Sequence, residues 1–241
     1  MNGTSPLLTT ITLSLCVSVC TAGDSPQKVL SKLTPIIELV KKKDKTAAEA
    51  LVTELKQADK LTPTQLHYAQ IAISSIDQKP KYPDPSLIEL SIGSVSLSDC
   101  EWTNAKTEHL SPLRNIWSSR AAEFRFLETS EGMHRSGLYA HASSEYTFNL
   151  GGRWEKFEGA GALGYKKGEL PYPYSSVDFI IKVDGEVVFS RRRADGSAKH
   201  AEFSISVRNA KTLTLITTGA GNGISGDHAL WISPTLKRPR R

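Results

Sequence analysis

Two segments far apart in this chain hold the residue types best suited to chemistry. Gly137–Glu145 reads GLYAHASSE and Gly221–Trp231 reads GNGISGDHALW. Each sets a His and a carboxylate among Gly, Ser and Ala. Small residues let a backbone turn sharply and approach a neighbour closely. A His beside a carboxylate on such a loop presents oriented hydrogen-bond donors and acceptors. The candidate binding residues are His141 and Glu145 in the first segment and Asp227 and His228 in the second. Each also has a plain structural use: a His at a strand end fixes a loop through a backbone carbonyl, and Asp227 can cap a turn. Other chemistries find little support. Neither His shows zinc-site spacing. Gly219–Gly226 lacks the Lys-Ser/Thr ending of a phosphate loop. No nucleophile elbow comes with its triad partners in order, and no acid–base pair of carboxylates stands out, so a non-catalytic chain is expected.

The elements that must position these loops follow from composition and pattern. The chain has 241 residues, 39% hydrophobic and 23% charged, which is the range of a globular body. Its net charge is +5, with Arg and Lys gathered in Arg191–Arg193 and the basic tail Lys237–Arg241. That is sparser than the basic stripe of a nucleic-acid reader, so no nucleic-acid partner is expected. The first 22 residues carry no charged side chain, and small residues follow the apolar run Leu7–Val19. This has the form of a secretory signal peptide over residues 1–22. The run is shorter than the roughly 20 residues of a membrane span. A secreted, periplasmic or cell-surface protein is the expectation. Cys16 and Cys20 fall in the signal, which leaves Cys100 alone and rules out an internal disulfide in the mature chain. Cys100 reads as a small core hydrophobe.

Residues 25–78 read as three helices. Ser25-Pro26 is a start signal, and Val29, Leu33, Ile36, Ile37 and Val40 repeat at helical spacing. Pro35 should kink or split this first helix. Lys41–Lys45 is a connector, the second helix runs through Ala47–Leu55, and Thr62-Pro63-Thr64-Gln65 has the form of a capping box opening a third. Three short helices need to pack on each other, on the rest of the chain or on a protein partner. Residues 79–86 (KPKYPDPS) form a proline-rich linker. Beyond it, Leu90, Ile92, Val95 and Leu97 look strand-like. Glu145–Leu150 alternates with Tyr146, Phe148 and Leu150 on one face, and Val177–Val183 leads into Asp184-Gly185, a strong hairpin signal. Phe203–Val207, Leu213–Ile216 and Trp231-Ile232 add further strands. The fold class is mainly β, an antiparallel, jelly-roll-like sandwich over residues 87–236 with a small helical segment before it.

The order of these motifs resembles the NPCBM family of carbohydrate-binding modules. The resemblance runs from Val95–Trp102 (VSLSDCEW) through GLYAHASSE, Tyr146–Phe157 (YTFNLGGRWEKF) and the Phe179–Val188 hairpin to the closing GNGISGDHALW. It implies a glycan or cell-surface polysaccharide as partner, bound by loops at one end of the sandwich. Trp102, Trp117, Tyr139, Trp154, Tyr172, Tyr174 and Trp231 are the aromatics available to cover a sugar's apolar face; most read as core, and Tyr172 and Tyr174, set among prolines in YKKGELPYPY, are the ones expected to be exposed. His141, Glu145, Asp227 and His228 would take its hydroxyls. The family usually has Asp where Asn222 stands and Asp-Trp-Ala-Asp where Leu230–Ser233 stands. The departures open an alternative: a structural or protein–protein adaptor whose sugar site has decayed. Calcium, held by some related modules, would have only Asp99 and Asp227 here, a thin set for an ion that needs six or more oxygens.

Overall fold

The computed structural model describes residues 26–76, 82–108, 112–117, 125–164, 175–195 and 199–239. The signal segment, residues 79–81 of the linker, and both Tyr172 and Tyr174 lie outside the described residues.

Three helices come first: α1 (Pro26–Lys41), α2 (Lys45–Gln57) and α3 (Pro63–Ser74). α1 is one continuous helix with Pro35 inside it, so the proline does not split it. The missing N–H costs one helical bond, and burial of Leu33, Ile36 and Val40 around it holds the helix together. Asp44 caps α2, accepting from the Ala47 N–H at 3.0 Å. The capping box is present: Thr62 accepts from Gln65 N–H, and the Gln65 side chain accepts from Thr62 N–H. The helices share a core that takes in Ile116, Phe126 and Met133 from the β region. The Tyr68 and Phe126 rings meet edge-on at 4.8 Å. No helix among the described residues is long and apolar enough to cross a membrane.

The linker does not end in free chain. Pro85–Leu87 is a 3-10 turn capped by Asp84, Trp154 Nε1 donates to the Pro85 carbonyl at 3.1 Å, and Glu101 N–H donates to the Pro83 carbonyl. Tyr82 and Trp102 sandwich the Arg114 guanidinium, which lies 4.0 and 3.3 Å from the two ring centres. The strand expected around Val95 is short, because a second 3-10 turn takes over at Leu97–Asp99.

The strands are β1 (Ser94–Ser96), β2 (Asn104–Thr107), β3 (Leu113–Arg114), β4 (Glu128–Thr129), β5 (Gly132–Met133), β6 (Gly137–Tyr139) and β7 (Ser144–Asn149), followed by β8 (Lys156–Leu163), β9 (Ser176–Val183), β10 (Glu186–Asp195), β11 (Ala201–Ser206), β12 (Thr212–Thr218) and β13 (Ala229–Lys237). One sheet has the order β11-β8-β13-β6-β3, with β1 also on β13; the other has the order β10-β9-β12-β7-β2. Every pairing is antiparallel. Alternation supplies the filling between the sheets. Tyr146, Phe148, Leu150, Phe157, Phe179, Leu213, Leu215 and Trp231 are fully buried there, and Cys100 is buried with them. Asp184-Gly185 makes the tight turn between β9 and β10, both residues at positive φ (48° and 89°), as a type I′ turn requires.

Register shows which end carries the His-bearing loops. Leu163 pairs with Ala229, Tyr139 with Leu230, Ser144 with both Thr217 and Thr107, and Asp178 with Thr218. The β2–β3, β6–β7, β8–β9 and β12–β13 connections therefore leave from one end. The Asp184-Gly185 turn and the 150–155 and 207–211 connections close the other.

Candidate functional site

At the loop end the two His-bearing segments meet. The strand pairing of β6 with β13 continues as Ala140 N–H to the Ala229 carbonyl (2.8 Å) and Ala142 N–H to the Asp227 carbonyl (3.1 Å). This zipper sets the His141 and His228 rings 5.0 Å apart and edge-on. Tyr139 joins them, its hydroxyl 2.9 Å from His228 Nδ1. Trp117 packs edge-on to His228 at 5.2 Å. Gly164 makes room for this packing: a Cβ there would stand 3.1 Å from the His228 carbonyl and 3.4 Å from the Trp117 ring.

Protonation follows from the partners. Burial pushes the Tyr139 phenol well above its ordinary value, so the hydroxyl stays protonated. Assigned as donor to His228 Nδ1, it places the imidazole proton on Nε2. His141 Nδ1 lies 2.6 Å from the Ala142 carbonyl and must be the donor.

Asp227 is 1% exposed. Its Oδ1 accepts from Ser176 N–H at 3.0 Å, while Oδ2 is buried with no hydrogen-bond partner among the described residues. Burial lifts its pKa to about 6, against the lowering effect of the Ser176 bond. Ser175 Oγ donates to the Gly226 carbonyl and Ser176 Oγ to Asn222 Oδ1, so the start of β9 clamps the 219–228 loop. Asn222, where the family usually has Asp, is part of that clamp.

Of the residues singled out from sequence, His141, Asp227 and His228 come together. Glu145 does not join them through any described contact. The β7 alternation turns it to the outer face of its sheet, where Asn104 Nδ2 donates to it at 3.0 Å. Tyr172 and Tyr174 lie in the 165–174 connection, outside the described residues. Tyr139 and Trp117, counted among the available aromatics but not among the candidate binding residues, are the two that pack at the His pair. Tyr139 stands two residues before His141, a spacing that points to it. Trp117 enters through the isolated Ile116–Phe126 bridge, which no local pattern announces. Trp154 and Trp231 are core, at 2% and 0% exposure.

The calcium expectation meets a poor donor set. Asp99 hydrogen-bonds Asn115, whose Oδ1 holds Gly137 N–H at the start of β6, whereas Asp227 belongs to the other end of that strand. No group of three His, Cys, Asp or Glu among the described residues is placed to hold a metal ion.

The fold has solved counterparts. A CBM51 module from the Clostridium perfringens GH95 protein, in complex with methyl-galactose, superposes with a TM-score of 0.52 at 24% identity; the match covers 60% of this chain and 99% of that one. The second CBM51 module of C. perfringens ZmpB, in a structure with GlcNAc and INT domains, gives the same score and identity over 60% of this chain and 31% of that one. The tandem CBM51 modules of a family 98 glycoside hydrolase from Streptococcus pneumoniae match at 0.51 and 16% identity, over 67% of this chain and 52% of theirs. At these identities the likeness speaks to fold. No curated protein matches the chain. The NPCBM/NEW2 domain model matches residues 93–237, which are the sandwich with both His-bearing loops, and the chain therefore belongs to the NPCBM/NEW2 domain family.

Proposed function

We propose that this chain is a non-catalytic carbohydrate-binding module of an exported protein, taking a neutral glycan at the loop end of its sandwich. The observation that carries the reading is the convergence of Tyr139, His141, Asp227 and His228 from two distant segments on one end. Family membership supports it, as do CBM51 relatives of the same fold solved with GlcNAc and with methyl-galactose. In this reading His141, Asp227 and His228 recognise the sugar's hydroxyls, and Tyr172 or Tyr174 covers the apolar face of the ring. Export through a signal peptide cut near Ala22 belongs to the same proposal, and N-terminal sequencing of the mature protein checks it.

A second reading has its own support. Asp227 and His141 are nearly fully buried and each holds a backbone group. That is how a brace looks, and it fits an adaptor with a lapsed sugar site.

Shallow module sites bind weakly, so a dissociation constant of roughly 10 µM to 1 mM is expected. A glycan array followed by calorimetry on the full mature chain is the test. His228→Ala should weaken binding about tenfold, the loss of roughly one hydrogen bond, and should also lower the melting temperature, because it takes away the partner of the buried Tyr139 hydroxyl. A broad array without any ligand would retire the carbohydrate reading and leave the adaptor.

A further inference from the structure

The chain has six histidines. Among the described residues two stand at the loop end; three others converge on the β4–β5 hairpin, away from it. Thr129 is buried, and its hydroxyl oxygen lies 2.8 Å from His134 Nε2 and 2.9 Å from His200 Nε2. Glu131 N–H also points to this oxygen, at 3.3 Å. The two rings are 5.4 Å apart. His200 turns its Nδ1 to the Glu131 carboxylate at 3.4 Å. The same hairpin carries the junction with the helices. Met133 and neighbouring Phe126 enter the helical core, Arg135 Nη2 donates to Thr64 Oγ1 at 2.7 Å, and the His67 ring meets the Arg135 carbonyl at 3.2 Å.

A hydroxyl has one proton and two lone pairs. Three neighbours on Thr129 Oγ1 are satisfied when one imidazole accepts the hydroxyl proton while the other imidazole and Glu131 N–H donate. This holds with both rings neutral. It also holds with His200 charged, since Glu131 faces its Nδ1 and His134 accepts. It fails with both rings charged. Three donors then compete for two lone pairs, the hydroxyl proton has no acceptor, and two cations face each other across one oxygen.

From this geometry we infer that the β4–β5 hairpin is an acid-released latch: a second proton on the His134–His200 pair breaks the Thr129 array and loosens the docking of the helices on the sandwich. Charge around the pair agrees. Glu131 makes its close ion-pair contact with His200 and acts on His134 from farther off; the Arg135 guanidinium and the Glu128 carboxylate face Tyr68 on the α3 side of the hairpin. Burial and the neighbouring His200 push His134 down to about 4, with Glu131 pulling the other way. The fold thus favours neutral His134. Its contribution is complete above the ordinary His value of 6.5 and is lost as pH falls toward about 4. The inference is independent of the glycan reading.

Hydrogen–deuterium exchange on the full mature chain from pH 7.5 to 4.5, corrected for intrinsic rates, tests it. Residues 126–135 and α3 should lose protection at least tenfold in the acid half of that range, while β9 and β12 keep theirs. Equal protection of hairpin and sandwich down to pH 4.5, or loss of all together, would overturn the latch. His134→Gln keeps an acceptor for the Thr129 hydroxyl but takes no proton, so its acid step should vanish. The same step in that variant, folded at pH 7.5, also overturns the inference. Should His134→Gln not fold, the His134 ring in the wild type is titrated by NMR: a midpoint well below 6.5 supports the latch, and one at 6.5 or above refutes it.

Discussion

The two ends of the sandwich each rest on one aspartate, and the two are treated in opposite ways. At the turn end Asp184 is exposed. Its Oδ1 accepts from Lys211 N–H, Thr212 N–H and the Thr212 hydroxyl. These bonds hold its carboxyl below the usual range, the Thr212 N–H foremost. At the loop end Asp227 is buried with one bond from Ser176 N–H and a second oxygen without any partner among the described residues. Its pKa rises to about 6. Both residues clamp a connection to a strand, so bracing alone does not explain the contrast. Buried polar groups are nearly always satisfied, and an exception calls for a reason. Perturbed carboxyls gather at functional sites, where burial and partners set their protonation, and a structural network perturbs them as well.

The strongest way to break the comparison is to disorder the loop end and leave the turn end alone. A Cβ at Gly219 would stand 1.9 Å from the Gly223 carbonyl oxygen and 3.1 Å from Ile224 Cγ2. The first obstacle is backbone and cannot swing away. Gly219→Ala should force the 219–223 turn open, cost about 1–3 kcal/mol as overpacking does, and abolish glycan binding. Gly93→Ala, with nothing within 4 Å of the added atom, is the control and should be silent in both assays. A Gly219→Ala protein that melts and binds like wild type would mean that the 219–228 loop is not the rigid frame described.

Asp227→Asn sharpens the comparison through pH. A folded pKa above the unfolded value means that the folded state holds its proton more tightly. The stabilising contribution is full below about 3.9 and is lost as pH rises through about 6. Two pKa steps correspond to about 2–3 kcal/mol at most. Asp184 has the opposite sign: its contribution is present above the ordinary Asp value and lost as pH falls through its lowered folded value. In urea melts at pH 4.5 and 7.5, Asp227→Asn should therefore gain more stability relative to wild type at the higher pH. A difference independent of pH would show that the Asp227 carboxyl is not held in the buried, unmatched state described.

Much of this arrangement was readable beforehand, and the physical reasons are local. Tyr146, Phe148 and Leu150 alternate, so their face was visible; the Thr62–Gln65 capping box and the Asp184-Gly185 turn are set by four- and two-residue chemistry. The same alternation already placed Glu145 on the face opposite Tyr146, and grouping it with His141 by proximity in sequence overlooked that period. What was not readable depends on distant partners. The β4–β5 strands are two residues each, too short for any period. Trp117 reaches His228 only through the folded sandwich. The Val95–Leu97 segment has strand-like apolar spacing, yet Ser96 caps a 3-10 turn through Ser98 N–H, and local hydrogen bonding wins over the pattern.

The smallest effect belongs to the turn end and completes the contrast. Asp184→Asn keeps an acceptor oxygen for Lys211 N–H and Thr212 N–H while removing the charge. Hydrogen bonds to a charged acceptor are stronger than neutral ones, but this residue stands in water, which weakens the difference. The positive φ of 48° at position 184 is one that Asn adopts as readily as Asp, so the turn itself is not strained by the change. A loss of a few tenths of a kcal/mol near neutral pH is expected, with no change in glycan affinity, because the turn and the His-bearing loops close opposite ends. Calorimetric melting and binding on the same preparation read both quantities. A large drop in affinity with a small drop in stability would place ligand contacts at the turn end, and the division of labour between the two aspartates would fail.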